Sequence, residues 1–561
     1  MKFIHSFLLI AALTLLIGCT GNKKAFSTDV SKKWHTQDYI SSGIPGISLE
    51  KALLNAKKTN RSIIVATIDN QLDTEHEDLK EAIWTNKNEI PDNKIDDDSN
   101  GYVDDIHGWN FLGTKSGNYI VWGNFEYTRI VREYEVTFKD KKKEDLNPND
   151  WLKYEEYQRA AKFQDKWGKY YANFLKSLNY RASLYLPAKD TLKHYFPKED
   201  YTIKQLDSMY NLYKINNKSY KERRDTQDKD FGALIAIMKI TLEMGNSYED
   251  LIDNRSQIDS IANKNSNKNY NERLFIGDNE KVLEKKYGNN KVNAKIAGIR
   301  SNNSHNTKVS SLIAANRKNK IGIQGFSDNI KIMPLAISAS GDEHDKDIAM
   351  AVRYAVDNGA KVINMSFTKE FSLHPEWVIE AFQYAEKNNV LLVHASGNDA
   401  FSVDENPTYP NDYYYDKREE VCSNLINVGS VSAKLDSTFV SGFSNYGKYN
   451  VDVFAPGEKI YTAIPENKYD FDSGTSLAAP MVSGTAALIW LYYPTLTVQQ
   501  VKQIIMDSGT PYNIEVLLPG GEGKKVPFKD LSKTGKVINV DNALKMAEKM
   551  SKQKKNDQLL H

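Results

Sequence analysis

The stretch Asp472-Ser473-Gly474-Thr475-Ser476-Leu477-Ala478-Ala479-Pro480 constrains this chain more than any other. Gly474 lets the backbone turn tightly just before a Thr-Ser pair. Small apolar residues follow, and Met481 to Tyr493 is apolar nearly all round, which predicts a helix buried on every face. Pro480 falls early in that helix, where few backbone donors are lost. The free N–H groups and positive field of a helix N-terminus suit negative charge developing beside Ser476. A lone Gly-Thr-Ser is most often a helix cap. Its continuation into a buried helix predicts a serine held at the edge of a core instead.

A sheet is predicted to surround that helix. Ile63 to Ile68 is a nearly continuous apolar run with polar ends, as expected of a strand buried on both faces of a parallel sheet. It ends in Asp69, and such sheets place their chemistry at the carboxyl ends of strands. Ile330 to Ile337, Lys361 to Ser366 and Val390 to His394 are further strands. Between them, Ile348, Val352 and Ala355, then Val378, Phe382 and Ala385, fall on single helical faces. The alternation predicts an α/β fold.

The run Gly474 to Pro480 resembles the serine motif G-T-S-x-A-x-P of the subtilisin-like serine proteases, the subtilases. Other segments carry the resemblance further. The strand ending in Asp69, with His76-Glu77-Asp78-Leu79 after it, resembles the family's aspartate motif, although Asn70 and Gln71 depart from the usual Ser/Thr-Gly. Val362 to Ser366 resembles the segment that pairs with substrate backbone, and Ala395-Ser396-Gly397-Asn398 resembles A-A-G-N. Phe443-Ser444-Asn445-Tyr446-Gly447 and Ala455-Pro456-Gly457 match two more. Ser304 to Ala315 is similar to the histidine motif H-G-T-H-V-A-G-x-I-A-A, with His305 on the first His, Thr307 on the Thr and Lys308 on the second His. The order Asp, His, Ser is that of subtilisin.

The resemblance implies a subtilisin-like parallel sheet flanked by helices, with Asp69 and Ser476 in the triad and Asn398 donating to the oxyanion. Ser366, Phe367, Thr368, Ser396 and Gly397 would bind substrate. Lys308 is taken to stand at the catalytic His position. A lysine beside Asp69 stays charged and forms an ion pair, which leaves Ser476 without a base. His305 is placed in a loop, outside a helix starting near Thr307. The expectation is a subtilisin-like serine endopeptidase with impaired catalysis. The alternative is a non-catalytic protein of the same fold that binds peptides or protein partners.

Residues 112–289 read as a large, mostly helical insertion between residues 61–111 and 290–545 of the subtilase-like domain. Trp151 to Tyr185 and Tyr201 to Ile215 have few helix breakers, Phe231, Leu234, Ile235, Met238 and Leu242 form a helical stripe, and Asn263 to Asn271 reads as a polar loop. Within Ile95 to Asp105, Asp96, Asp98, Asn100, Gly101 and Asp104 follow the spacing of an EF-hand loop. Position 12 is His107 rather than Glu, so the motif is incomplete. A structural calcium ion held by Asp96, Asp98, Asn100 and Asp104 is expected, and no organic cofactor.

Lys2 followed by the apolar run Phe7 to Ile17 reads as a targeting segment, shorter than the roughly 20 residues of a membrane span. Leu16-Ile17-Gly18-Cys19 resembles a bacterial lipoprotein cleavage box, which implies lipidation of Cys19 and a membrane-anchored place in the cell envelope. Cys422 is the only other cysteine, so a lipidated Cys19 leaves no internal disulfide. Residues 19–60 read as a tether and a short lead-in helix capped by Ser48, with no room for a folded inhibitory propeptide. Residues 546–561 read as a charged, fraying tail. Lys plus Arg is 74 against 73 for Asp plus Glu, so charge gives no argument for nucleic acid.

Overall fold

A computed structural model describes residues 31–56, 59–213, 216–294, 304–413 and 419–560, with side chains to 553. The targeting segment and Cys19 lie outside the described residues. The described chain forms two compact units, one running to Val121 and resuming at Glu272, the other Trp122–Asn271.

The first unit is built on nine strands. In chain order the sheet uses β1 (Ile63–Asp69), β2 (Trp109–Asn110), β3 (Ile330–Ala336), β4 (Val362–Met365), β5 (Leu391–Ala395), β6 (Leu425–Val431) and β7 (Val453–Pro456). A separate hairpin follows, β8 (Ile460–Ile464) with β9 (Lys468–Asp472). Thr510–Pro511 and Lys536–Val537 complete the large sheet at one edge. The order across its middle is β7-β6-β5-β4-β1-β3-β2, and every pair among these seven is parallel. The apolar run of β1 explains its central place, since Val65, Ala66 and Ile68 are buried between neighbours on both sides. The register sets Ile68 beside Met365 and Asp69 beside Ala336, so Asp69 ends the strand at the sheet's carboxyl edge.

Helices that flank or enter this sheet include α1 (His305–Ala314), α2 (Asp345–Asp357), α3 (Pro375–Lys387) and α4 (Thr475–Tyr492). The stripe Ile348, Val352 and Ala355 of α2 and the stripe Val378, Phe382 and Ala385 of α3 are buried in one core beneath the sheet. Helix α4 lies in the other core, with Leu477 through Leu491 buried. It is long and apolar enough to cross a membrane, yet 89% of it is buried within the protein, as befits a core helix.

Two expectations at the ends change. Residues 31–56 are not a free tether: Trp34, Ile44, Ile47 and Leu49 are buried in the core. Ser48 makes no capping bond and donates to Asp38 instead. At the other end, the segment read as a fraying tail continues a helix, Val540–Leu560. Ala543, Leu544 and Ala547 pack that helix on the core, and Lys545–Asp541 and Lys552–Glu548 support it one turn apart.

The second unit is helical. Trp151–Lys193 is one long helix that carries Pro187 within it, and Ile203–Tyr213, Phe231–Met244 and Tyr248–Ser260 pack around it. The insertion of residues 112–289 therefore shortens to Trp122–Asn271 as a compact unit. Its flanks belong with the sheet, where Asn110 bridges Asn289 and Leu72 bridges Asn293. Within Phe231–Met244, Ile235 and Met238 are buried as the stripe requires, but Leu242 is 38% exposed and Ala233, Ile237 and Thr241 are buried instead. The helix meets neighbours on two sides, and its buried face turns accordingly. The polar segment after it is held by amides: Asn265 donates to the Gly123 carbonyl and Asn124 to that of Lys264.

Arg181 stands out in this unit. It sits in the buried stripe of the long helix with Leu178, Leu184 and Ala188, is 4% exposed, and its Nε and Nη2 have no hydrogen-bond partner. A buried donor without a partner costs about 1–3 kcal/mol, and more when charged. Arg181→Met keeps the apolar stem and removes the charge. Calorimetry should show a higher melting temperature for the variant than for the parent protein, and an unchanged or lower one would show that Arg181 is satisfied in solution.

Candidate active site

The carboxyl edge of β1, β4 and β5 meets the N-termini of α1 and α4. Asp69, 3% exposed, ends β1, and its carbonyl accepts from the N–H groups of Ile337 and Ser338. Its carboxylate accepts from the N–H of Asn70 at 2.7 Å. Helix α1 begins at His305, not near Thr307, and its first turn is tied to β1. The Asn306 N–H donates to Asn70 Oδ1 and the Asn306 amide to the Asn70 carbonyl. Thr307 Oγ1 accepts from the Asp73 N–H.

These ties aim His305 at Asp69. Its Nδ1 lies 2.9 and 2.8 Å from the two carboxylate oxygens. Burial opposes charge on the ring, but the Asp69 charge and hydrogen bond outweigh it and raise the His305 pKa above 6.5. Lys308, one turn further on, does not meet Asp69. Its Nζ pairs with Asp472 Oδ2 at 2.7 Å. The expected Asp69–Lys308 ion pair is thus corrected to Asp69–His305, and with it the assignment of Lys308 to the position of the base. Helix geometry is the reason: residues at i and i+3 lie near one another on a helix, so only the exact start of α1 decides which of them faces β1.

Ser476 lies in the first turn of α4. Its carbonyl accepts from Ser366 Oγ at 2.9 Å. Ser366 in turn accepts from the Asn364 amide, whose oxygen accepts from Ser483 deeper in α4. Asn398 is held from the other side, its Oδ1 accepting from the N–H and the hydroxyl of Thr475 at 2.9 and 3.0 Å. The same Thr475 oxygen accepts from the Gly397 N–H. With Oδ1 so occupied, Nδ2 is the end of Asn398 left to donate. A Cβ placed on Gly474 would lie 3.6 Å from Ser476 Oγ and 3.7 Å from Asn398 Nδ2, so both groups border one space.

Of the residues expected to bind substrate, Ser366 and Ser396 are buried and turned inward. Ser366 buttresses Ser476, and Ser396 Oγ donates to the Asn445 carbonyl. Gly397 has φ +105° and an added Cβ would lie 2.3 Å from the Asn445 amide, so glycine is required there. Phe367 and Thr368 are partly exposed, and the Phe367 carbonyl accepts from His394. Thr475 was not singled out from the sequence, although its place between Gly474 and Ser476 was the available signal.

The acidic loop differs in detail from the expected calcium site. Glu89, Asp96 and Asp98 bring carboxylate oxygens within 4.8 Å of one another. Asp104 directs its two oxygens to the N–H groups of Asn93 and Lys94, and Asn100 Oδ1 accepts from the Tyr102 N–H. Asp104 is not in that carboxylate group, and Glu89, outside the motif, joins Asp96 and Asp98. Its oxygens accept from the N–H groups of Asp98 and Asp104. Three carboxylates of hard oxygen donors fit a calcium ion by chemistry.

A family model described as Peptidase_S8, Subtilase family, matches residues 60–534. A thermophilic serine proteinase of Bacillus sp. (strain AK1) is 37% identical over 188 residues, 33% of this chain and 42% of that protein. Subtilisin DY of Bacillus licheniformis is 31% identical over 210 residues, 37% of this chain and 71% of that protein. Among solved structures, the prenylagaramide maturation protease PagA aligns over 44% of this chain and 82% of that chain, at 26% identity and a TM-score of 0.35. The family match runs through Asp69, His305, Asn398 and Ser476 alike, and the chain belongs to the subtilase family of serine proteases.

Proposed function

We propose that this chain is a serine endopeptidase with Asp69, His305 and Ser476 as its triad. The observation that carries the reading is the contact of His305 Nδ1 with both oxygens of Asp69. It fixes the tautomer with the proton on Nδ1 and leaves Nε2 basic. Nε2 takes the proton of Ser476 Oγ as the oxygen attacks the scissile carbonyl, and then gives it to the leaving amine. Asn398 Nδ2 donates to the oxyanion, in the field of the N-terminus of α4. Water reverses the sequence and frees the acid product. Lys308 takes no part in the proton transfers, so the ground for expecting impaired catalysis is gone.

Ser476→Ala and His305→Ala should each lower kcat on a peptide substrate by about 10⁶-fold, the loss seen for the same residues in subtilisin. The base acts when neutral, so a pKa raised by Asp69 predicts that kcat/KM climbs with pH through an inflection above 6.5. A serine-directed fluorophosphonate should label the parent protein and not Ser476→Ala. Absence of labelling in the parent protein would favour the alternative, a non-catalytic binder of peptides or proteins.

A calcium ion at Glu89, Asp96 and Asp98 belongs to this reading as a structural element that braces the loop before β2. Ligand bound only by the folded state raises the melting temperature. Calcium should raise it relative to chelator in the parent protein and much less in Glu89→Gln, and equal temperatures in calcium and chelator would dismiss the site.

We also propose that the protein works at a bacterial cell envelope, held by lipid on Cys19. The apolar run Phe7 to Ile17 and the box Leu16 to Cys19 support this. Metabolic labelling with a fatty-acid analogue should mark the parent protein and not Cys19→Ser.

A further inference from the structure

The serine loop is held on its sheet side by Ser366 and Asn398, and on its other side it runs out of a two-stranded arm. Ser476 follows β9, and β9 pairs only with β8 in a two-stranded arm outside the nine-stranded sheet. Three of the five residues of β9 are exposed. The arm ends at Asp472, four residues before Ser476. Asp472 is fixed from both sides: its Oδ1 accepts from the Ser473 N–H at 2.8 Å, and its Oδ2 pairs with Lys308 Nζ at 2.7 Å. Lys308 lies one turn beyond His305 on α1 and is 18% exposed against 38% for Asp472. The pair joins residues 164 positions apart in the chain. A second, neutral tie runs beside it: Ser311 Oγ donates to the Lys308 carbonyl and accepts from the Ala463 N–H of β8.

We propose that the Lys308–Asp472 ion pair is a strut that holds the helix bearing His305 against the loop bearing Ser476, making both residues positioning residues of the triad. Neither side chain transfers a proton. Each acts by joining the two sides directly, β1 holding the histidine side and Ser366 and Asn398 the serine side. Both also act on His305 through space. The charges acting on its ring include Asp69 from β1, Lys308 from its own helix and Asp472 from the arm, and Lys308 disfavours charge on the ring while Asp472 favours it. The proposal rests on the triad reading above.

The two charges give a signature that a merely structural role would not. Lys308→Met removes a cation and should move the inflection of the kcat/KM profile to higher pH. Asp472→Asn removes an anion and should move it to lower pH. Each should also lower kcat by about 10-fold or more with little change in KM, since a small misplacement of reacting groups is costly. The exchange Lys308→Asp with Asp472→Lys rebuilds the pair and should recover most of the kcat. Carbon NMR of labelled histidine follows the His305 titration without any turnover. If fluorophosphonate fails to label Ser476 but the two single variants still move the His305 titration in opposite directions, the strut stands and the peptidase reading falls. If labelling succeeds while both variants shift the titration the same way or not at all, or the exchange recovers nothing, the strut is wrong and the triad stands.

Discussion

The hydrogen bond between His305 and Asp69 is the contact on which the rest of the site depends. A carboxylate 3% exposed at the end of a buried strand is costly unless it is paired and hydrogen-bonded. Asp69 meets that requirement with the Asn70 N–H and the His305 ring. The same bond orients the imidazole and raises its pKa. Asn70 binds the first turn of α1 through both its side chain and its carbonyl. These two bonds join the end of the strand to the helix that carries the base.

The fold was largely legible because its signals are strong and local. A run such as Ile63 to Ile68 has few alternatives to a strand buried on both faces, and Met481 to Leu491 few alternatives to a buried helix. Ser476, Asn398 and Asp69 were legible for a related reason, since each sits at the end of such an element. The base was not. His305 and Lys308 are one turn apart, and whether α1 starts at His305 or at Thr307 decides which of them faces Asp69. Helix starts depend on capping and on tertiary contacts such as Asn70–Asn306, which join residues 236 positions apart and leave no local trace.

The acidic loop shows the same limit. Alternation of Asp and Asn predicts carboxylates converging on one point, but backbone N–H groups compete for those oxygens. Asp104, with φ 55°, is turned to the N–H groups of Asn93 and Lys94. Glu89 enters from outside the repeat, and no spacing rule within the loop could have named it. The side chains of Ser366 and Ser396 turn inward for a comparable reason. Small hydroxyl residues at strand ends serve equally well as buttresses, and only burial tells the two roles apart.

The sheet unit accepts a long insertion because the chain is clamped where it leaves and where it returns. At the exit, the Val121 carbonyl accepts from the Ser340 N–H just beyond β3, at 2.7 Å. At the return, Arg273 is buried with Asp278 and Asp347, and Lys346 pairs with Asp278. Two cations balance two anions in this cluster, and Tyr287 donates to Asp347 as well. Buried ion pairs add little net stability over apolar packing, but losing one partner costs about 3–5 kcal/mol. Such a cluster is therefore a device for fixing geometry more than for adding stability. It pins residues 273–287 to α2, and α2 packs beneath β1. The cluster thus ties the return of the insertion to the helix beneath the strand that presents Asp69 to His305.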